Sequence, residues 1–417
     1  MPQQDTSSTP FDVAVLGGGI AGAAIARDAA LRGLKVLLLE KKTFGSGTSS
    51  TSSKLIHGGL RYLELAWNAL WRGRFGEFRK NLSFVFVSLR EAQILETIAP
   101  DLAKPLPILL PIYRTYSRSR FEIAVGTFLY YVLARLSGRK ARAPKFFGNP
   151  AELARLMPGL RQEGLIGGVQ IWDRLTDDVR LVRETVASAV RHGATAHEHA
   201  AVLSYQREAA SGLYRVRVRL NGTEQNFEAR TLVNATGPWV DLTRRLSRDA
   251  SGEDYVLPVA GAHIETRKLA PMSLLLQSKD GRIFFVISLK DRSRIGTTER
   301  RADNPDVVAP TPQEIEYLLT ETNRYLPGAK LTASDILSSD AGIRPLVKPA
   351  QDQNPHDVSR EHALHVDAEG VFHLVGVKLT DHRRAGEKTV DRVLKELTRT
   401  AGKPFVKSRT ATVPLSA

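Results

Sequence analysis

The chain has 417 residues, of which 42% are hydrophobic and none is cysteine. This composition is ordinary for a globular protein with a hydrophobic core, and the length allows two domains. Without cysteine the chain forms no disulfide, iron–sulfur cluster or thiolate metal site, and we expect no metal centre. Lysine and arginine outnumber aspartate and glutamate by 59 to 44, and this net charge of +15 favours anionic partners.

The ends of the chain and its apolar stretches bear on the cellular location of the protein. The polar opening MPQQDTSSTP lacks the basic start and apolar core of a secretory signal, so residues 1–10 are expected to be a tail. Residues 403–417 are expected to be a second tail. The most apolar stretch, Ile123 to Ala134, is too short to cross a membrane. We therefore expect a cytoplasmic protein.

Residues 11–40 have the pattern of a βαβ unit. An apolar run ends at Leu16, a glycine turn follows, an alanine-rich helix is predicted from Ile20 to about Arg32, and a second apolar run ends at Glu40. Such a unit places a turn, a helix N-terminus and an acidic side chain along one edge of a parallel sheet.

The glycine turn predicts a dinucleotide. Gly17, Gly19 and Gly22 occupy the GxGxxG positions, which permit a tight turn, close approach of backbone N–H groups to a diphosphate and close helix packing. The helix N-terminus favours the diphosphate charge. Glu40 stands where a carboxylate can accept hydrogen bonds from ribose hydroxyls. These residues leave NAD and FAD open.

Three later stretches predict returns of the chain to the nucleotide. Thr231 to Asn234 form an apolar strand that runs into the small-residue turn Ala235-Thr236-Gly237. Before it, residues 194–208 and 214–222 alternate like an antiparallel pair. Near the C-terminus, residues 338–347 and 372–397 predict a further turn, a strand and a basic helix.

Nine collinear motifs carry a family resemblance. After the βαβ unit the chain reads TSSTSSKLIHGGLRYLE, TDDVRLV, LVNATGPWV, GAHI, RIFFVI, IGTTE, GIRPL and GVKLT, in this order and over almost its whole length. In these motifs it resembles the FAD-dependent glycerol-3-phosphate dehydrogenase family, which consists of flavin oxidoreductases of the D-amino-acid oxidase type. The resemblance implies FAD as the cofactor.

The implied fold is α/β. A discontinuous Rossmann-like FAD-binding domain is expected from residues 11–64, 173–246 and 334–402. A second α+β substrate domain, built on a mixed or antiparallel sheet, is expected from residues 65–172 and 247–333. The resemblance also implies that the helical C-terminal domain of the family is missing here.

The resemblance implies a flavin cradle at Thr48 to Gly59. Short hydroxyl side chains bind phosphate and polyol oxygens without bulk, and Gly58-Gly59 lets the backbone approach the ring. The implied cofactor residues are Gly17, Gly19, Gly22, Glu40, Thr48, Ser49, Ser53, Lys54, Leu55, His57, Gly58, Gly59, Val202, Ala235, Gly237, Gly342, Lys378, Leu379 and Thr380.

The resemblance also implies oxidation of sn-glycerol 3-phosphate to dihydroxyacetone phosphate, with the electrons passed to quinone. The implied substrate positions are Arg61, Tyr62, His263, Thr298 or its neighbour Thr297, Arg344, Arg360 and Lys378. Arginine offers the paired donors that a phosphate dianion requires. A base would take the C2 hydroxyl proton while hydride passes to flavin N5. We expect His263 to be that base, with His57 as the other candidate.

Departures from the family pattern keep alternatives open. The family's GGKLTTYR reads GVKLTDHR here, which introduces Val377, Asp381 and His382, and GTTD reads GTTE. A divergent enzyme for another phosphorylated or acidic alcohol or amine is therefore an alternative. A basic flavoprotein without turnover, bound to membrane or nucleic acid, is a second alternative, although no nucleic-acid signature is present. We expect quinone or O2 as the electron acceptor. The sequence does not determine the oligomeric state.

Two segments mix aromatic and basic residues. Residues 65–87 and 112–145 combine tryptophan, phenylalanine and tyrosine with arginine and lysine, a composition that suits the surface of an anionic membrane. Peripheral contact with the inner face of the cell membrane is thus expected. In the competing interpretation the aromatic rings lie in the core and the cations in solvent.

Overall fold

A computed structural model of the chain describes residues 9–116, 118–138, 140–247, 252–306, 308–349 and 361–416. Arg360, a predicted substrate residue, lies outside these ranges. The α-helices of the described part are α1 (Ile20–Leu31), α2 (Leu60–Trp71), α3 (Phe75–Ile98), α4 (Arg120–Ser137), α5 (Pro150–Leu156), α6 (Asp178–Arg191), α7 (Val240–Arg244), α8 (Pro312–Tyr325) and α9 (His382–Ala401).

The strands form two sheets. They are β1 (Phe11–Leu16), β2 (Val36–Leu39), β3 (Leu55–Ile56), β4 (Lys104–Tyr113), β5 (Lys145–Phe147), β6 (Leu165–Leu175), β7 (Thr195–His197), β8 (Ala200–Arg207), β9 (Tyr214–Leu220), β10 (Thr223–Asn234), β11 (Val256–Arg267), β12 (Ser273–Gln277), β13 (Ile283–Ser288), β14 (Arg292–Gly296), β15 (Arg300–Arg301), β16 (Ile336–Val347), β17 (Ala363–Val366) and β18 (Phe372–Val375).

The chain divides into two compact units. The first takes residues 1–50, 177–259 and 344–417, and the second takes 51–176 and 260–343. The predicted division placed residues 247–259 with the second unit, whereas they fall in the first. It also placed residues 51–64, 173–176 and 334–343 with the first unit. They fall in the second unit because β3 pairs with β6 and β16 pairs with β11. The functional labels given to the two domains stay a prediction.

The first sheet has the order β17-β18-β10-β1-β2-β7 and is extended by β8 and β9 beside β10. β1 pairs in parallel with β2 and β10, and β18 pairs in parallel with β10. β1 and β2 are buried along almost their whole length, as the apolar runs of a parallel strand require. The predicted antiparallel pair is confirmed as β8 and β9.

Helix α1 is alanine-rich and almost wholly buried. Alanine favours the helix and lets neighbouring elements approach closely. α9 packs against it so tightly that a Cβ at Gly386 would lie 2.8 Å from the backbone carbon of Ala24. The close contact fixes where α9 begins relative to the glycine turn.

The second sheet has the order β15-β11-β14-β13-β12-β4-β6-β3, with β16 beside β11 and β5 beside β6. β14 runs antiparallel to both β11 and β13, β13 to β12, and β6 to β3, β4 and β5, whereas β4 and β12 run in parallel. The two sheets confirm the predicted α/β class with a mixed second sheet. Two capping boxes start flanking helices, Ser119 with Glu122 for α4 and Thr311 with Glu314 for α8.

Helices α2, α3 and α4 share a small core in the second unit. Phe84 and Phe86 pack against this cluster, as the core interpretation of residues 65–87 expected. Trp71 and Phe75 are instead 75% and 65% exposed, at the break between α2 and α3. Of the helices that the structure describes, none combines the length and apolar character needed to span a membrane.

Candidate functional site

The glycine turn in the first unit is shaped by close packing. Gly17 has a φ of +99°, and a Cβ there would lie 2.8 Å from the carbonyl oxygen of Ala235. A Cβ at Gly22 would lie 1.8 Å from the carbonyl oxygen of Gly17. Side chains at these positions would therefore separate the turn from α1 and from the turn that follows β10.

The N-terminus of α1 is suited to an anion. Its first turn holds no acidic residue, and the N-cap residue is Gly19, which has no side chain to cap the helix. The backbone N–H of Ile20 donates to the Ser49 hydroxyl at 3.0 Å, which places this predicted diphosphate residue at the turn. Thr48 lies beside it in the short 3-10 turn Gly47–Ser50. A diphosphate is favoured there by the helix dipole.

Glu40 is held at the end of β2. Its carboxylate accepts hydrogen bonds at 2.7 Å from the backbone N–H groups of both Gly18 and Lys42. The N–H of Ala200 donates to the Glu40 carbonyl, so β8 and its half-buried Val202 pass beside it. This arrangement leaves acceptor capacity on a fixed carboxylate, as binding of a ribose diol requires.

The turn after β10 lies against the glycine turn. The Ala235 N–H donates to the Leu16 carbonyl at 2.9 Å, and Gly237 has a φ of +61°. Trp239, which the sequence analysis did not single out, lies 3.2 Å from where a Cβ at Gly47 would stand. Its position two residues after Gly237, in the predicted small-residue turn, is the sequence feature that could have identified it.

The loop before α9 carries Lys378, Leu379 and Thr380. The Lys378 N–H donates to the Asp381 carboxylate at 3.1 Å, and the His382 Nδ1 lies 2.7 Å from the Leu379 carbonyl. Burial lowers the pKa of His382 to about 4. Two of the three residues that depart from the family pattern, Asp381 and His382, thus hold this loop, and the neutral imidazole donates to it.

These first-unit residues fit an extended dinucleotide. A carboxylate, a glycine turn that excludes side chains and a helix N-terminus without acidic residues follow one another along the edge of the sheet. Half-buried Arg344 also belongs to this unit. The individual contact residues stay predictions.

In the second unit the remainder of the predicted cradle, Thr51 to Gly59, is fixed by backbone pairing. Lys54 has a φ of +55°, and its carbonyl accepts from Thr176 at 2.9 Å. Leu55 pairs with Leu175 in β6. A Cβ at Gly342 would lie 1.9 Å from the Thr51 hydroxyl oxygen, so the predicted glycine leaves room for the cradle.

A buried hydrogen-bond chain holds Gly58. Its N–H donates to the Tyr130 hydroxyl at 2.8 Å, and that hydroxyl donates to the Asp173 carboxylate at 2.8 Å. Burial raises the pKa of Asp173 to about 6. Sequence reasoning missed both partners, because Tyr130 lies within an apolar stretch. His57 accepts from the Gly59 N–H at 3.1 Å, just before α2.

His263 lies on β11 within a polar network. Its Nε2 is 2.9 Å from the Ser53 hydroxyl, and its Nδ1 is 3.8 Å from the Asp340 carboxylate. Arg294 binds both oxygens of Asp340 at 2.7 Å. The structure thus brings together two predicted residues, His263 and Ser53, and adds a carboxylate and a guanidinium that sequence reasoning missed.

Other predicted substrate residues are placed differently within the second unit. The Thr298 hydroxyl accepts from the Ala262 N–H at 2.9 Å and donates to Glu314 at 2.6 Å, so it joins β11 to α8. Tyr62 is buried with its ring 4.3 Å from that of Phe84. Arg61 lies in the first turn of α2 and lines an apolar pocket. Their substrate roles stay predictions.

The arrangement of Ser53, His263 and Asp340 can hold and move a proton. An imidazole with a hydroxyl on one nitrogen and a carboxylate near the other is oriented for proton transfer. No group of metal-binding side chains occurs among the residues that the structure describes.

Comparisons with known proteins agree with this architecture. The family model described as DAO, FAD dependent oxidoreductase, matches residues 12–382. A probable mitochondrial glycerol-3-phosphate dehydrogenase of Caenorhabditis elegans is 32% identical over 92% of this chain and 52% of its own length. The alpha-glycerophosphate oxidase of Enterococcus casseliflavus is 31% identical over 99% of this chain and 75% of its own length.

A solved structure is similar over nearly the whole chain. The glycerol-3-phosphate dehydrogenase from Bacillus halodurans, complexed with FAD, aligns with a TM-score of 0.74 and 28% identity. The alignment covers 98% of this chain and 68% of that one. The predicted family and its FAD cofactor are confirmed, and the chain belongs to the DAO family of FAD-dependent oxidoreductases.

Proposed function

We propose that this protein oxidises glycerol 3-phosphate to dihydroxyacetone phosphate with FAD as cofactor. The observation that carries the proposal is the Ser53–His263–Asp340 network in a chain of this flavin family. The substrate is supported by the names of relatives from C. elegans, E. casseliflavus and B. halodurans.

The chain's own residues would handle the proton. When bound, FAD supplies the acceptor for the hydride that leaves C2 of the substrate. His263 Nε2 takes the proton of the C2 hydroxyl, either directly or through the Ser53 hydroxyl that lies 2.9 Å away. Asp340 stabilises the imidazolium, and Arg294 holds Asp340 in place through two 2.7 Å contacts.

Cationic side chains would bind the phosphate. The predicted residues are Arg61, Arg344 and Lys378. A guanidinium offers two parallel donors to a phosphate, which an ammonium cannot do. Replacing Arg344 by lysine should therefore raise KM for the phosphorylated substrate more than it lowers kcat.

Anaerobic reduction tests the substrate. Glycerol 3-phosphate added to the FAD-loaded protein should bleach the flavin and yield dihydroxyacetone phosphate, whereas glycerol should act much more weakly because it lacks the phosphate. Bleaching by another alcohol or an amine, with none by glycerol 3-phosphate, would refute the substrate assignment. Failure of every substrate with an intact flavin would favour a non-catalytic flavoprotein.

A divergent substrate is the second candidate, and the loop before α9 favours it. Val377 adds a branched side chain where the family pattern has glycine, and Asp381 and His382 now hydrogen-bond the loop. Restoring the pattern with Val377→Gly should change the preference among phosphorylated and acidic substrates if this loop selects them. Unchanged ratios of kcat/KM would exclude that role.

The electron acceptor is proposed to be quinone or O2. The E. casseliflavus relative is named an oxidase, and the C. elegans relative is named a dehydrogenase. Comparing reoxidation of the reduced flavin by air and by a soluble quinone separates the two acceptors.

Peripheral membrane contact is proposed for the exposed aromatic residues of the second unit. Trp71, Phe75 and Phe121 are 75%, 65% and 77% exposed, and arginines stand beside them at 72, 74 and 120. The double variant Trp71→Ser/Phe75→Ser should sediment less with anionic liposomes. Leu337→Ser, at a similarly exposed site on β16, is the matched control. Equal sedimentation of both variants would contradict membrane contact here.

A further inference from the structure

Arg294 is a buried arginine of β14 that joins three parts of the second unit, and it is only 2% exposed. Its Nε donates to the carbonyl of Ser52 in the predicted cradle at 3.1 Å. Its two terminal nitrogens bind the two oxygens of Asp340 on β16 at 2.7 Å, and Nη1 also donates to Glu265 on β11 at 3.3 Å. A guanidinium with this set of charge-assisted contacts fixes the cradle, β11 and β16 relative to one another.

The charges of this group cancel without a contribution from His263. Arg294 and Arg292 carry two positive charges, whereas Asp340 and Glu265 carry two negative charges. Arg292 closes the group, since it lies 3.1 Å from the second oxygen of Glu265. His263 is 4% exposed, so a proton on its imidazole would add an unbalanced positive charge in a poorly solvated place. These surroundings therefore favour the uncharged ring.

Asp340 stands between Arg294 and His263, and the arginine holds it. Both oxygens of the carboxylate lie 2.7 Å from the guanidinium, whereas Oδ1 lies 3.8 Å from Nδ1 of His263. The second distance is longer than a hydrogen bond. A carboxylate bonded directly to an imidazole favours the charged ring, so the competing guanidinium weakens that effect. Because Oδ1 contacts both groups, the charge of Arg294 also lies near enough to repel a charge on the imidazole.

Other charged groups near His263 are balanced or positive. The carboxylate of Glu314 reaches β11 through the hydroxyl of Thr298. That carboxylate is paired with Arg300 at 3.5 Å. The serine hydroxyl that bonds to the imidazole is uncharged, and Lys54 follows it in the chain. None of these groups supplies a negative charge that would draw a proton onto His263.

We infer that Arg294 is a positioning residue that keeps the imidazole of His263 uncharged at neutral pH, because it binds Asp340 and balances its charge. This role deepens the proposed function and rests on it, since His263 is the proposed base. Only the uncharged imidazole can take the proton of the C2 hydroxyl, so Arg294 would extend turnover down to neutral pH. The protonation state of the imidazole is measurable without turnover.

Nuclear magnetic resonance measures this protonation state in the FAD-loaded protein. The 10 histidines are isotope-labelled at the ring carbon Cε1, and the signal that His263→Gln removes is assigned to His263. The change of this signal with pH gives the midpoint of the titration of the imidazole. An exposed histidine has its midpoint at about pH 6.5, and we expect a lower midpoint for His263. A midpoint above that of an exposed histidine would contradict the inference.

Two substitutions should move this midpoint in opposite directions. Arg294→Gln removes the positive charge and frees Asp340 to bond to Nδ1, so it should raise the midpoint by about one pH unit or more. Asp340→Asn keeps the shape of the side chain and removes the negative charge, so it should lower the midpoint by a similar amount. The double variant loses one charge of each sign and should return close to the wild-type midpoint.

Arg294→Lys and Arg292→Gln are the controls. Arg294→Lys keeps the positive charge and loses the paired contacts, so its midpoint should stay near the wild-type value. Arg292 lies on the same strand and binds the same Glu265, but its side chain is 43% exposed. Solvent therefore screens its charge, and its loss should change the midpoint much less. If Arg294→Gln does not fold with bound flavin, Glu265→Gln replaces it, because loss of that carboxylate leaves Arg294 less balanced and should lower the midpoint.

Equal midpoints in the wild type and in Arg294→Gln would overturn the inference, and so would a raised midpoint in Asp340→Asn. The rate of flavin reduction by glycerol 3-phosphate is the second readout. In Arg294→Gln this rate should fall about three- to tenfold at neutral pH and recover at alkaline pH. A loss of the same size at every pH would show a purely structural role and would also overturn the inference. If the midpoints move as expected and glycerol 3-phosphate reduces the flavin in neither the wild type nor any variant, the role of Arg294 stands and the proposed function fails.

Discussion

Replacing two helical glycines by alanine should have opposite effects on stability. Gly22 lies in the first turn of α1, where a Cβ would stand 1.8 Å from the Gly17 carbonyl oxygen. A carbon and a carbonyl oxygen in contact stay about 3.3 Å apart, so α1 or the glycine turn must move by more than about 1 Å. Gly126 lies in the interior of α4, where the same Cβ meets no atom within 4 Å.

The expected magnitudes follow from these distances. Gly126→Ala should stabilise the second unit by about 0.5 to 1 kcal/mol, because alanine favours a helix over glycine. Gly22→Ala gains the same propensity, but overpacking against a backbone atom costs about 1 to 3 kcal/mol or more. Since the turn is the predicted diphosphate site, Gly22→Ala should also lose most of its bound FAD.

Thermal unfolding of both variants, followed with and without added FAD, measures the difference. Gly22→Ala should lower the melting temperature of the FAD-loaded protein by about 4 to 8 °C, and Gly126→Ala should raise it slightly. The flavin absorbance that remains after gel filtration reports FAD content. A Gly22→Ala protein with full flavin content and wild-type melting temperature would refute the close approach of α1 to the turn.

Four further substitutions test the two units. Glu40→Gln should weaken FAD binding by about tenfold or more, because a charged acceptor is lost at the ribose position; fluorescence titration with FAD measures it, and equal affinity would contradict that role. His263→Gln should lower kcat by roughly 10²- to 10⁴-fold with FAD content unchanged, and a normal kcat would exclude it as the base. Tyr130→Phe should destabilise the protein by about 1 to 3 kcal/mol in urea unfolding, since the Gly58 N–H loses its buried acceptor; Tyr131→Phe, at its half-buried neighbour, should not. Because burial lowers the pKa of His382 from 6.5 to about 4, the unfolded state takes up its proton first, so stability present above pH 6.5 is lost as the pH falls toward 4. His382→Gln should reduce that loss, and an unchanged profile of the urea midpoint against pH would contradict it.

Much of the first unit could be predicted because its signals are local. The buried runs of β1 and β2, the alanine-rich α1 and the glycines between them lie within residues 11–40, and each element follows from its own composition. Ser49 was found through the family motif, and its hydroxyl lies at the N–H of Ile20. The antiparallel pair β8 and β9 followed from alternation alone.

For the aromatic segment at residues 65–87, composition alone does not predict which side chains are buried. The sequence did not decide whether its aromatic rings face solvent or the core. In the structure some of these rings pack against the core and others are exposed. Phe84 and Phe86 pack against the core of α2, α3 and α4, whereas Trp71 and Phe75 are exposed on the two sides of the break at Gly73. A break between two helices changes which side chains are buried, and the composition of the segment does not show where the break lies.

The sequence by itself determined the family, the cofactor and the order of the elements, because these depend on short motifs in a fixed order. Tertiary structure decided the partners of the reactive groups. Ser53 and His263 are 210 positions apart, and Gly58 and Tyr130 are 72 apart. Asp340 and Arg294 join the histidine from two further strands, β16 and β14. Pairing across such distances is fixed by strand register and by the packing of buried side chains, and neither is a property of any single segment.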